Sequence, residues 1–217
     1  MKIGDFKDVA DLDTYLKRYY GCLAGVDENV GRVLDALERQ GYEDSTVVSY
    51  TGDNGFFLGE HHFFDKRLMY EESIRVPLLV KYPKMIKPGT TKADMVLNVD
   101  IAPTILDLAG IPMPETMDGK SIKPLLEGKE TEWRKDFLYE YYEYPAVHSV
   151  KKNRGVRTER WKYIHYFEDP EEFELFDLQN DPQEMNNLAN DPAYKDKIEQ
   201  LKTRMTDLRK ELKDPDL

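Results

Sequence analysis

One cysteine, Cys22, is all that the 217 residues hold, which excludes an intrachain disulfide and a multi-cysteine zinc cluster. It leaves the redox compartment open. Long apolar runs are lacking as well. Stretches such as Val76 to Val80 fall far short of the roughly 20 residues that a membrane span needs, so no membrane partner is expected. Basic charge is scarce: 31 Lys+Arg against 42 Asp+Glu leave a net charge of −11. A nucleic-acid partner would call for the opposite surface. No secretory signal is visible, because Met1 to Ala10 is mixed and charged rather than basic and then apolar. What is present is a core-forming composition, with 40% hydrophobic and 12% aromatic residues, which excludes a disordered chain. The length suits one large domain or one and a half.

Apolar residues from Asp13 to Gln40 recur at spacings of three and four (Leu16, Tyr19, Tyr20, Leu23, Val26, Val30, Val33, Leu34, Leu37), predicting an amphipathic helix stopped by Gly41. Thr46 to Tyr50 is short and β-branched and reads as a buried strand, and Val76 to Lys81 as a second one. Asp100 is placed to cap a helix running to Gly110. Beyond a Pro- and Gly-rich loop after Pro112 come four runs suited to antiparallel strands: Phe137 to Tyr142, Gly155 to Arg160, Trp161 to Phe167 and Phe173 to Leu178. A last helix spans about Pro192 to Leu212, with Tyr194, Ile198, Leu201, Met205, Leu208 and Leu212 on one stripe. The order is an α/β portion over residues 1–127 followed by a small α+β unit over 128–217.

Chemistry concentrates in residues 51–77. Asp53 and Asn54 stand between Gly52 and Gly55 at the carboxyl end of the first strand, where open α/β sheets place ligands. The glycines leave the backbone free to turn sharply. A carboxylate beside an amide carbonyl suits a hard cation such as Ca²⁺ or Mg²⁺. On its own, D-N-G is an ordinary turn. His61, His62 and Lys66 lie within fifteen residues of it, offering a proton donor and a fixed positive charge for a tetrahedral oxyanion. Taken alone, Lys66 is a solvated surface lysine.

The ordered set of motifs is more specific. T-G-D-N-G-F-F-L-G-E-H from Thr51 to His61, F-F-D-K-R from Phe63 to Arg67 and Y-E-E-S-I-R-V-P from Tyr70 to Pro77 resemble the second metal-binding stretch of the type I sulfatases of the alkaline phosphatase superfamily. Tyr19 to Glu38, Asp100 to Gly110, Asp118 to Ser121, Gly155 to Ile164 and Glu174 to Leu188 resemble segments around that stretch and the closing sheet. The resemblance covers nearly the whole chain from Tyr15 onward. It implies a partial alkaline-phosphatase-like α/β sandwich followed by a small antiparallel sheet packed by a C-terminal helix. It also implies Asp53 and Asn54 as ligands of Ca²⁺ or Mg²⁺, Lys66 as the lysine that contacts the sulfate ester, and His61 as the histidine of the family's G-E-H motif. His62 stands where the family usually has glycine. Tyr142 to Val150 resembles members acting on 6-sulfated N-acetylglucosamine, with His148 touching the sugar, although Tyr142, Tyr144 and His148 read equally as aromatic packing.

Family members hydrolyse the ester with a formylglycine made from the Cys or Ser of a C/S-x-P-x-R motif, and no such motif occurs in these residues. Cys22 lies in G-C-L-A-G and reads as a small buried helix residue. The family's early aspartate pair is missing too. Ca²⁺ takes roughly 6 to 8 oxygens and this pair supplies about three, so weak metal binding and no hydrolysis by these residues alone are expected. The chain is therefore expected to be the C-terminal portion of a sulfatase, acting on a sulfated carbohydrate or aryl sulfate. Self-association or pairing with the missing N-terminal half would cover exposed sheet surface. The resemblance implies a periplasmic or secreted full-length protein. The alternatives are a non-catalytic carbohydrate-binding or interaction module, or a phosphodiesterase-type relative.

Overall fold

The computed structural model describes residues 11–146 and 148–216; the stretch Met1 to Ala10 lies outside them. Helix α1 spans Leu12–Arg39, begun by the Asp11 carboxylate, which accepts the Thr14 N–H at 2.6 Å. Gly41, at a φ of 70°, ends it. The helix forms where the spacing predicts, yet it buries none of its residues. Tyr20, Leu23, Val26 and Val33 are exposed, and so is Cys22, contrary to the buried role expected of it. The reason is that the stripe meets no second apolar layer among the described residues. Its ring contacts to the site segment include Tyr19 stacked on Phe56 and Tyr15 edge-on to Phe64.

Strand β1 (Val48–Thr51) is followed by a hairpin of β2 (Phe57–Leu58) and β3 (Phe64–Asp65), the short helix α2 (Glu71–Ile74) and strand β4 (Leu78–Lys81). β1 and β4 pair antiparallel, from Val48 with Lys81 to Thr51 with Leu78. A 3-10 turn over Asn98–Asp100 leads into α3 (Ile101–Leu108), and α4 (Lys123–Leu126) follows. Asp100 does not cap α3 with its side chain. Its buried carboxylate accepts the N–H groups of Leu97 and Lys120, both at 2.8 Å, and pairs with Arg134. A buried carboxylate needs this many donors, and only the tertiary fold delivers them.

Strands β5 (Asp136–Tyr141), β6 (Asn153–Thr158), β7 (Trp161–Tyr166) and β8 (Glu172–Asp177) form an antiparallel sheet in that order. Helix α5 (Lys195–Glu211) covers one face, where Val156, Tyr163 and Leu175 meet Leu201, Met205 and Leu208. Leu212, expected on this stripe, is exposed because the helix ends before it. The opposite face is apolar too. Ile164, Tyr166 and Phe176 pack with Val150 against Phe57, Leu68, Met69 and Tyr70. The sheet is thus buried on both sides, and the second core joins it to the segment that carries the candidate site. Gly155 marks the closest approach: a Cβ there would lie 2.2 Å from the Met69 sulfur. No described helix is long and apolar enough to cross a membrane.

Candidate functional site

The site is assembled by the β2–β3 hairpin. Phe57 faces Asp65 and Leu58 faces Phe64, so the register returns the chain beside its starting point. Lys66, twelve residues on, reaches the turn after β1. There its Nζ donates to Asn54 Oδ1 at 2.8 Å. Asn54 Nδ2 donates to the Gly55 carbonyl at 2.6 Å, which orients the side chain so that the oxygen faces the lysine. Asp53 is exposed, and its carbonyl accepts from Asn98 Nδ2 at 2.7 Å.

Gly55 has a role other than the free backbone expected of it. A Cβ there would lie 2.0 Å from the Glu72 carbonyl oxygen, so the glycine permits contact between the turn and α2. Its N–H donates to the Ser73 carbonyl at 2.7 Å, and the Ser73 hydroxyl donates to the Lys66 carbonyl. One four-residue helix thereby braces both the Asp53-Asn54 turn and the lysine.

His61 and His62 lie at the hairpin tip with φ values of 51° and 61°, a left-handed pair that L residues rarely adopt. The position where the family usually has glycine is thus one where glycine would be at ease. The His61 side chain turns inward. Its ring centroid is 4.6 Å from that of Tyr70 and its Nε2 is 3.5 Å from Glu72 Oε1. Behind it, Tyr70 and Tyr166 both donate to Glu174. Burial raises that carboxyl to about 7 and outweighs the two hydroxyls.

His148 sits on the connection from β5 to β6. Its Nδ1 accepts the Val150 N–H at 3.3 Å, so in the neutral ring the proton is on Nε2, 2.9 Å from the Tyr141 hydroxyl and 3.4 Å from Glu143 Oε2. Glu143 also lies 3.6 Å from Arg67 Nε. The hydroxyl of Tyr141, with His148, holds that carboxyl below its usual range. The structure therefore joins Asn54 to Lys66, and ties His148 to Arg67, the residue after that lysine. His61 is enclosed among Phe57, Tyr70 and Glu72. The Arg67–Glu143–His148 link went unread in the sequence, since no local spacing connects residues that far apart.

Oxygen donors of this kind fit a hard cation, and a carbonyl oxygen has a second lone pair beside the one Lys66 uses. Their number does not complete a coordination shell. Among the described residues no group of three or more His, Cys, Asp or Glu is placed to hold a metal ion.

An α/β portion with a strand-end turn of oxygen donors, closed by a small antiparallel sheet and its helix, defines a protein of alkaline-phosphatase-like fold. The family described as "Sulfatase" matches residues 4–111, and "N-sulphoglucosamine sulphohydrolase, C-terminal" matches residues 59–211. The chain belongs to the sulfatase family. It is 47% identical over 205 residues to the N-acetylglucosamine-6-O-sulfatase of Bacteroides thetaiotaomicron, matching 93% of this chain and 37% of that protein. A protein solved in complex with its substrate D-glucosamine-2-N,6-O-disulfate superposes with a TM-score of 0.90 at 46% identity, over 94% of this chain and 42% of the other. The phosphonate monoester hydrolase of Agrobacterium radiobacter reaches a TM-score of 0.82 at 28% identity, over 93% and 42%. The chain thus spans well under half the length of these relatives.

Proposed function

We propose that this chain is the C-terminal portion of a sulfatase that hydrolyses sulfate esters of sugars, with N-acetylglucosamine 6-sulfate as the substrate class. The contact between Lys66 Nζ and Asn54 Oδ1 at 2.8 Å carries the reading. It sets an ammonium beside hard oxygen donors, the pair that an ester sulfate bridging a cation and a lysine requires. Asp53 and Asn54 would hold Ca²⁺ or Mg²⁺, with further ligands from outside these 217 residues. A bound cation supplies Lewis-acid polarisation of the sulfate oxygens, and a formylglycine elsewhere in the full-length enzyme supplies the nucleophile. This chain's own part is to grip and orient: Lys66 would fix one sulfate oxygen, and His148 would meet the sugar, a role supported by its tie through Glu143 to Arg67, the residue after that lysine. Proton delivery to the leaving alcohol falls to a histidine, and His61, the histidine of the G-E-H motif, is the candidate that this chain offers. The exposed stripe of α1 supports pairing of this chain with the rest of the α/β domain or with a second copy.

The test is hydrolysis of a chromogenic aryl sulfate and of N-acetylglucosamine 6-sulfate with excess Ca²⁺. The 217-residue chain alone should give no turnover, and turnover by it that Asp53→Ala abolishes would overturn the incomplete-site reading. In the full-length enzyme, Lys66→Ala should lower kcat/KM by about a hundredfold or more. Unchanged activity there would remove Lys66 from the site.

A further inference from the structure

The grip on Asn54 and Lys66 comes from α2, and α2 is itself held by the C-terminal sheet. The Glu71 N–H donates to Glu184 Oε2 at 2.7 Å. The Glu71 carboxylate lies 3.0 Å from Lys162 Nζ and 3.3 Å from Arg157 Nη2, and Lys162 Nζ lies 2.5 Å from Glu184 Oε1. Lys162 on β7 is wholly buried, as is the Glu184 side chain, which is delivered from a backbone φ of 54° in the loop after β8. Burial raises the Glu184 carboxyl despite Lys162, whereas Lys162 and Arg157 outweigh burial at Glu71 and lower it.

A buried lysine between two carboxylates is a costly way to fill a core, since an apolar set of the same volume often serves stability as well or better. What such charges do well is fix one position, because a wholly buried ammonium can leave neither of its two carboxylates without stranding a charge away from bulk solvent. Here the thing fixed is the first turn of α2. From it run two short paths to the site: Ser73 O to Gly55 N, beside Asn54, and Ser73 Oγ to the Lys66 carbonyl. Glu184 is 130 residues from Asn54 in sequence (184 − 54), and Lys162 faces away from the α5 side of its sheet.

We propose that Lys162 and Glu184 are positioning residues, which place α2 and through it fix Asn54 and Lys66 next to one another; their bearing on sulfate rests on the function proposed above. Removing the ammonium leaves two carboxylates facing each other at the first turn of α2, so this helix shifts while the sheet stays packed on α5.

The experiment is amide hydrogen exchange with ¹H–¹⁵N spectra on the 217-residue chain, for wild type, Lys162→Met, Glu184→Gln and Lys162→Arg. With Lys162→Met the Gly55 amide should exchange about tenfold faster relative to the amides of β6 and β7, and the Gly55 and Lys66 signals should move. Lys162→Arg should restore both. Glu184→Gln, a milder change that keeps an acceptor for the Glu71 N–H, should show a smaller change of the same kind and serves if Lys162→Met does not fold. The proposal is overturned if Gly55 and the strand amides speed up by the same factor, or if Gly55 does not respond while the strands do. The function proposed above is tested separately, by the kcat/KM of Lys66→Ala in the full-length enzyme, where unchanged activity counts against it, whereas the exchange ratio alone decides whether Lys162 and Glu184 place the turn.

Discussion

Gly55→Ala should do far more damage than Gly52→Ala three residues earlier, and the structure says how much. The added Cβ would stand 2.0 Å from the Glu72 carbonyl oxygen, 2.9 Å from the Glu72 carbonyl carbon and 3.2 Å from that of Ser73. All three are backbone atoms, so no side chain can swing aside. Ordinary non-bonded contact lies at about 3.5 Å, and α2 must therefore back away by roughly 1.5 Å. That stretches the 2.7 Å hydrogen bond from Gly55 to Ser73 well past its working range of about 3.2 Å. Overpacking costs about 1–3 kcal/mol and the lost, partly buried hydrogen bond about 1 kcal/mol more, giving roughly 3 kcal/mol in all. Gly52→Ala is the matched control, since its nearest neighbour is the Asn54 carbonyl at 3.3 Å, and it should cost about 1 kcal/mol or less. Urea unfolding of both variants at neutral pH reads the difference directly from the midpoints at constant slope. Equal midpoints would show that α2 does not press on the turn, and the account of how Asn54 and Lys66 are held would go with it.

Two further outcomes follow from single residues. His62, at a φ of 61°, should be more stable as glycine: His62→Gly relieves a left-handed strain of about 1–2 kcal/mol, offset in part by the glycine's greater unfolded-state freedom. A net gain of about 0.5 kcal/mol or more in urea unfolding is expected, and a loss would contradict the strain. Glu174 has a folded-state value of about 7, raised from 4.5 by burial, so below 4.5 the group is protonated in both states and costs nothing. As pH rises from there to about 7 the unfolded chain ionises first, and the contribution falls by about 3 kcal/mol. Glu184, also raised by burial, adds a slope of the same sign. Glu174→Gln should therefore flatten the fall in unfolding free energy between about pH 4.5 and pH 7, and an unchanged slope would place the proton elsewhere.

Much of the architecture was legible because it is local. Helix α1 begins and ends within one residue of its expected bounds, at an Asp N-cap and a following Gly. The four strands of the C-terminal sheet appear where short β-branched and aromatic runs place them. The hairpin of two-residue strands was not seen, since two residues carry no period to read. Nor was the second buried face of the sheet. Alternation marks Trp161, Tyr163 and His165 as one face, and says nothing about whether Ile164 and Tyr166 on the other meet solvent or another core.

The same division runs through the site. The chemical identity of its parts was written in the sequence: a carboxylate and an amide between glycines, a lysine shortly after, and ordered motifs that resemble one family. Those are statements about which atoms are available, and composition with spacing is enough to make them. Which atoms meet was decided by packing. The β2–β3 register brings Lys66 to Asn54, the missing side chain of Gly55 lets α2 approach the turn, and the second core carries Lys162 and Glu184 under that helix. A lysine in a strand reads as solvated, because most are. Only a sheet covered on both faces, with Glu71 and Glu184 brought to it from segments on either side in the chain, makes Lys162 a buried charge with two partners.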